Sequence, residues 1–139
     1  MPTPSERRLL PIVLAYLPVP IIGAILSAVW DVGASPEDGS GDMFLRGTAL
    51  TPPLILPAIL IVAAASARRP EGTGRVAAGL VSLVSIAFLG GSTFNLPNDF
   101  AAAESADTPL ALTAVPAAVH IGLSVSLLYN ALPRLFRAD

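Results

Sequence analysis

The sequence predicts an all-α fold: an integral membrane bundle of four helices, with both termini in the cytoplasm. Three observations carry this expectation. Only 13% of the residues are charged while 53% are hydrophobic, and the mean hydropathy is +0.70. An average soluble domain is roughly 25% charged, so this chain lacks the polar side chains to cover a water-exposed surface. The apolar residues also fall in four blocks, about 9–30, 48–67, 76–96 and 110–132. Each is close to the ~20 residues a helix needs to cross a ~30 Å hydrocarbon core. Finally, Arg7, Arg8, Arg68, Arg69, Arg75, Arg134 and Arg137 all flank one side of those blocks, whereas Asp31, Glu37, Asp38, Asp42, Asp99, Glu104 and Asp107 flank the other. That asymmetry is the positive-inside pattern, and it places both termini and the 68–75 connection in the cytoplasm.

The first span, 9–30, follows Arg7 and Arg8. A cleaved export signal is the rival expectation there. The apolar run outlasts the usual 7–15-residue signal core and no clean small-x-small cleavage site follows, so the segment reads as a retained helix. Along it Tyr16, Pro20, Gly23, Ser27 and Asp31 share a face at helical spacing. Gly23 and Ser27 form a small-xxx-small pair of the kind that lets helix backbones approach in lipid. Trp30 at its end reads as an interfacial anchor, as does Tyr129 on the fourth span.

The second span, 48–67, opens on "TALTPPLILP". A helix starting at Pro52 and ending at Ala67 would be only ~24 Å long at 1.5 Å per residue, short of a full crossing. The helix therefore starts near Phe44 with a kink at Pro52–Pro53, or "MFLRGTAL" enters the membrane as irregular chain. Irregular backbone at that depth must be shielded by protein or face water, so both alternatives imply a packed or wetted outer vestibule. Pro57 is expected to add a bend.

The third span, 76–96, carries Ala78, Ser82, Ser85, Leu89 and Ser92 along one face, and hydroxyls there are expected to bond back to the preceding turn. The fourth, 110–132, has two opposed faces. Thr113, Pro116, Ala117, His120 and Ser124 lie on one, while Ala114, Ala118, Gly122, Ser126 and Asn130 form a small or polar ridge on the other. Two packing faces predict either an embedded helix or a contact with a second copy or another membrane protein, beyond the lipid bilayer itself. The ridge residues Ala118, Gly122 and Ser126 and the Gly23–Ser27 pair are the expected helix-packing positions.

Two places invite chemistry. His120, the single histidine, lies near the midpoint of the fourth span, where an ionisable group is costly and marks a candidate site. Desolvation favours its neutral ring, and Ser85 at matching depth is its expected hydrogen-bond partner. At the acidic side Arg46 is the lone arginine, near Asp31, Asn95, Asn98 and Asp99. It is expected to pair with Asp31 or Asp42, or to hold a small polar ligand with the Asn95 amide.

Absences narrow the reading. There is no cysteine, which excludes disulfides and thiolate metal sites. One histidine leaves haem no second axial ligand without a dimer, no metal-ligand cluster is present, and no nucleic-acid patch or phosphate loop occurs, so no cofactor, metal or nucleic acid is expected. No aspartate or glutamate lies deeper than Asp31, which argues against a proton-coupled carrier with an intramembrane carboxylate, and no carboxylate orients a Ser85–His120 pair for hydrolysis. The connections are too short for a soluble domain of their own, so residues 1–139 are expected to form one transmembrane domain. All basic residues being arginine points to a GC-rich bacterial genome and hence a bacterial inner membrane. The expected role is a non-enzymatic accessory or structural subunit acting through helix–helix contacts. The alternative is a small transporter or ligand-binding protein using the vestibule with His120, Ser85, Arg46, Asp31 and Asn95; an enzyme on a lipid-soluble substrate ranks third.

Overall fold

A computed structural model of the chain describes residues 4–69 and 71–136, which form six α-helices and a short 3-10 turn. The helices are α1 (Pro4–Tyr16), α2 (Pro18–Trp30), α3 (Ile55–Ser66), α4 (Glu71–Phe94), α5 (Leu96–Ser105) and α6 (Ala111–Leu135). No strand occurs among the described residues. Three stretches, Arg7–Trp30, Gly72–Phe94 and Ala111–Leu135, are long and apolar enough to cross a membrane, so the chain is a multi-pass membrane protein. The fourth apolar helix, α3, has 12 residues, or about 18 Å, and does not reach across a hydrocarbon core by itself.

The first long stretch is α1 and α2 joined at Leu17, which keeps helical dihedrals (φ −49°, ψ −36°). Prolines at 18 and 20 explain the discontinuity. Neither has an N–H, so the helical bonds that Leu14 and Tyr16 carbonyls would accept from them cannot form. Below the break, α1, α3, α4 and α6 enclose one core in which Leu9, Val13, Leu60, Val81 and Leu127 have no solvent-exposed surface. The pairing of α4 with α6 is the most extensive in the molecule. The arginines gather at this end: the Arg68 guanidinium donates to the Arg7 carbonyl (3.2 Å) and that of Arg134 to the Arg69 carbonyl (2.8 Å). Arg137 lies outside the described residues.

Above the break the architecture changes. Residues 31–54 form no long helix, and this segment packs against α2, α5 and the start of α6 through a second core of Val32, Ala49, Leu50 and Ala102, flanked by Leu26, Trp30 and Leu112. Of the two starts considered for the second span, neither Phe44 nor Pro52 begins the helix: it begins at Ile55, and the preceding chain is irregular. The backbone of that irregular stretch is nevertheless satisfied. Thr48 and Thr51 exchange N–H···O bonds (2.8 and 3.3 Å), Ala49 N donates to the Gly33 carbonyl (2.9 Å), and Leu50 N donates to Thr48 Oγ1 (3.2 Å). Leu54 and Ile55 N–H groups, which would be orphans at the start of α3, donate to the Met43 and Phe44 carbonyls (both 3.3 Å). Pro57 falls in the first turn of α3, where no N–H donor is required, and it is buried there as part of the helix start, not as a bend.

Gly23 and Ser27 serve this seat. A Cβ on Gly23 would lie 2.2 Å from the Leu50 carbonyl oxygen, so only glycine lets the irregular chain lie against α2. The Ser27 hydroxyl bonds the Gly23 carbonyl (2.8 Å) and Thr48 Oγ1 (2.5 Å), and Thr51 Oγ1 donates to the Pro20 carbonyl (3.1 Å). The small-xxx-small pair thus receives a loop where sequence spacing implied a helix. Gly47, at φ +76°, makes the turn that starts this descent, and any side chain there would strike Pro53 N at 2.7 Å.

Most of the acidic 97–109 connection is helix α5. Pro97 sits at the helix start, Asp99 lies in the first turn, and the alanine run favours helix. Ala102 and Ala103 are buried, which docks α5 over the acidic end of the bundle.

Candidate functional site

The irregular 31–54 segment, α4, α5 and α6 surround a cavity of about 270 Å³ at the acidic end. Its polar lining comes from Arg46, Thr48 and Thr51 of the segment, Ser92 and Asn95 at the end of α4, Asp99 of α5 and His120 of α6. Pro52, Pro53, Phe88, Pro116 and Ala117 contribute its apolar walls. His120 lies nine residues into α6 from Ala111, about 14 Å along the axis, so the cavity reaches well into the bundle. Beyond it toward the arginine-rich end stand the buried side chains of Val13, Val81, Leu123 and Leu127.

His120 is 7% exposed, and its ring lies in an aromatic cluster. Its centroid is 5.5 Å from that of Tyr16 in an edge-to-face arrangement and 5.9 Å from that of Phe88. Tyr16 and Phe88 are 6.1 Å apart. Such contacts are worth about 0.5–1.5 kcal/mol each beyond burial. They do not satisfy Nε2: His120 Nε2 is buried with no hydrogen-bond partner among the described residues, as are Tyr16 OH and Thr113 Oγ1. Buried polar atoms without partners are rare and each asks for an explanation.

Ser85 is not that partner, contrary to expectation. Its hydroxyl donates to the Val81 carbonyl of its own helix (2.7 Å), as Ser82 does to Ala78 (3.0 Å) and Ser124 to the His120 carbonyl (2.7 Å). Bonding within the same turn is always within reach of a helical serine, so a level position on a neighbouring helix does not create a pair. Ser85 is fully buried and does not line the cavity.

Of the two carboxylates expected to pair with Arg46, Asp31 is not its partner. The Arg46 guanidinium lies 3.2 Å from Asp38 Oδ2, and the Ser35 hydroxyl braces the same oxygen at 2.9 Å. Asp31 is engaged elsewhere: both the Ser40 N–H and the Ser40 hydroxyl donate to its Oδ1 at 2.9 Å, which holds its carboxyl below the usual carboxylate range. Asp31 also ends α2 in a left-handed conformation (φ 51°, ψ 41°), so its side chain turns into the loop. The Asp42 side chain lies outside the described residues. Arg46 and Asn95, the ligand pair expected from the sequence, line the same cavity, whereas Asp31 does not.

Asp99 is a group that spacing alone does not single out, since the sequence only sets it beside Asn95 and Asn98 at the end of the third span. The structure carries it on α5 into the cavity wall, half-buried, and no hydrogen bond or ion pair holds its carboxyl among the described residues. Burial pushes its pKa up to about 7. The sequence does hold a signal in "LPND": proline followed by an acid two residues later is a helix start, and a helix there must lie across the bundle mouth.

On α6, Ala114, Ala118, Gly122 and Ser126 face outward and exposed, while Asn130 leaves that ridge, being buried with its amide donating to the Ser126 carbonyl (2.7 Å). Open space surrounds Gly122, with nothing within 4 Å of an added Cβ. No three His, Cys, Asp or Glu side chains converge among the described residues. No family model, curated protein or solved structure matches the chain.

Proposed function

We propose that the chain is a four-span protein of a bacterial inner membrane, with both termini cytoplasmic, that admits a small polar ligand into a vestibule open to the outer side. In this reading α3 and the irregular 47–54 chain together make the second crossing, the discontinuous construction that membrane proteins tolerate where it lines a cavity. One observation carries the ligand assignment: a cavity of about 270 Å³ joins Arg46, Asn95 and Asp99 at the mouth to His120, whose buried Nε2 has no protein partner. Convergent polar groups in an otherwise apolar pocket are the usual signature of a binding site. The apolar floor favours a binder or an alternating carrier over an open channel. The reading is non-enzymatic; among the described residues Ser85, the serine level with His120, bonds its own helix instead.

The absence of native cysteine makes the test direct. Ala117→Cys on the cavity wall should react with a neutral, water-soluble thiol reagent applied from outside, and Ala118→Cys on the exposed α6 face should be protected by lipid. In the same cells Glu37→Cys should label only from outside and Thr73→Cys only after the membrane is opened. Equal protection of positions 117 and 118 would overturn the vestibule. Labelling of Thr73→Cys from outside would overturn the orientation.

A second reading, an accessory subunit or homo-oligomer joined through α6, is favoured by the outward Ala114–Ala118–Gly122–Ser126 ridge. Small residues at spacing four allow close helix approach in lipid. Gly122→Ile should then dissociate the complex on native gels, and an unaltered band removes this reading.

A further inference from the structure

The charges around the cavity do not balance, and the imbalance indicates what the cavity takes. Among the described residues the ionisable groups lining it are Arg46 from the irregular segment, Asp99 from α5 and His120 from α6; α4 contributes the polar Ser92 but no ionisable group, and Asn95 lies between α4 and α5. Arg46 is matched by Asp38 at 3.2 Å. Asp99 has no such match. Its backbone N–H is spent on the Asn95 carbonyl (2.9 Å) and its carboxyl is half-buried without a partner among the described residues. The first turn of α5 favours a negative charge, yet desolvation outweighs it. A carboxylate removed from water and left unpaired is stabilised most by a cation that brings its own N–H donors.

We propose, on the basis of the vestibule reading, that the ligand is a small primary ammonium ion whose head group binds the Asp99 carboxylate and whose apolar part lies toward Phe88 and Ala117. The remaining ammonium protons have acceptors in the Asn95 amide oxygen and the Ser92 hydroxyl, which line the same cavity. Phe88 and Ala117 give the hydrocarbon part of such a ligand an apolar wall. At about 270 Å³ the cavity exceeds the ~150 Å³ that holds a benzene ring, so it admits a molecule of about ten heavy atoms.

Binding is coupled to a proton. With the Asp99 acid group titrating at about 7, an ammonium ion arriving below that pH displaces the carboxyl proton to water. One positive charge enters as one leaves, and the net charge of the site is unchanged. The observed dissociation constant scales as 1 + 10^(pKa − pH), so affinity should be about 10-fold higher at pH 8 than at pH 6. His120 is another ionisable side chain on the wall, and the Asp99→Asn variant separates any contribution it makes from that of Asp99.

The probe is ethylammonium, with acetamide and acetate as neutral and anionic molecules of similar size. Each is tested for its ability to slow modification of Ala117→Cys, expressed at each pH as the ratio of rates with and without the probe, which cancels the ionisation of the thiol itself. The expected result is protection by ethylammonium alone, with a half-protecting concentration about 10-fold lower at pH 8 than at pH 6. In Asp99→Asn, position 117 should still react but ethylammonium should no longer protect it. Equal protection by acetamide or acetate, protection without pH dependence, or protection surviving in Asp99→Asn would each overturn the assignment. A reactive position 117 with no protection by ethylammonium defeats the ammonium assignment and leaves the vestibule standing. An unreactive position 117 defeats both. Should Asp99→Asn fail to fold, the pH series in Ala117→Cys decides the matter alone.

Discussion

Two glycines that look alike in the sequence should respond oppositely to the same substitution. Gly23 and Gly122 each sit in the interior of an apolar helix beside other small residues. Replacing glycine with alanine inside a helix gains about 0.5–1 kcal/mol through backbone entropy, and this term is common to both positions. What differs is the surroundings. The new methyl at position 122 meets nothing within 4 Å, so Gly122→Ala should keep the whole gain. At position 23 the methyl would lie 2.2 Å from the Leu50 carbonyl oxygen and 3.1 Å from Thr51 Cβ. The obstacle is backbone already tied by hydrogen bonds to Gly33, Thr48 and Pro20, so it cannot rotate away as a side chain tip would. Overpacking of this kind costs about 1–3 kcal/mol. Because the propensity gain cancels in the comparison, the gap between the two variants should itself be about 1–3 kcal/mol. Thermal unfolding of both variants in one detergent, followed by near-ultraviolet signal from Trp30, measures it. Equal stabilisation by the two alanines would show that the irregular segment does not rest on α2. Destabilisation by Gly122→Ala would instead place a helix or a second protomer against that ridge.

The cavity residues give two further expected outcomes. His120→Leu removes a buried unsatisfied nitrogen, a gain of about 1–3 kcal/mol, and loses ring contacts to Tyr16 and Phe88 worth about 0.5–1.5 kcal/mol each. The two nearly cancel, so the thermal midpoint should stay the same or rise, and a marked fall would mean that the ring supports the fold. Asp99, whose native pKa is raised from 3.8 to about 7, binds its proton more tightly in the folded than in the unfolded chain. Its contribution is therefore fully present below the unfolded value and is lost as pH rises through about 7. Thermal midpoints should fall from pH 4 toward pH 7 and level off above it, and Asp99→Asn should flatten that profile; an unchanged slope would show that Asp99 is not the group responsible.

Much of the architecture is legible in the sequence because it depends on local properties. Hydropathy marks apolar helices residue by residue, and helical spacing assigns faces, so spacing alone puts His120 and Gly122 on opposite sides of α6. The helix start at Ile55 is not legible, because Phe44, Pro52 and Ile55 are all acceptable starts on local grounds. The choice falls to the Met43 and Phe44 carbonyls, which cap α3 from a distance that spacing does not encode. Ser85 illustrates the same limit. Depth along two helices is predictable, but a hydroxyl able to bond its own preceding turn does so without needing His120.

The sequence by itself determined the membrane class, the gathering of arginines on one side of the apolar blocks, and the need for a packed or wetted vestibule where the short second helix begins. These follow from the cost of placing charge and unpaired backbone in hydrocarbon, a cost each residue carries wherever it folds. Only the tertiary structure decided that Gly23 receives Leu50, that Arg46 meets Asp38, and that His120 rests between Tyr16 and Phe88. It also supplied the carboxylate that no apolar span contains: α5 folds back over the mouth and brings Asp99 into the same cavity as His120. Such encounters join residues far apart in the chain, and their energies depend on the distance and burial reached after packing, which composition and periodicity do not contain.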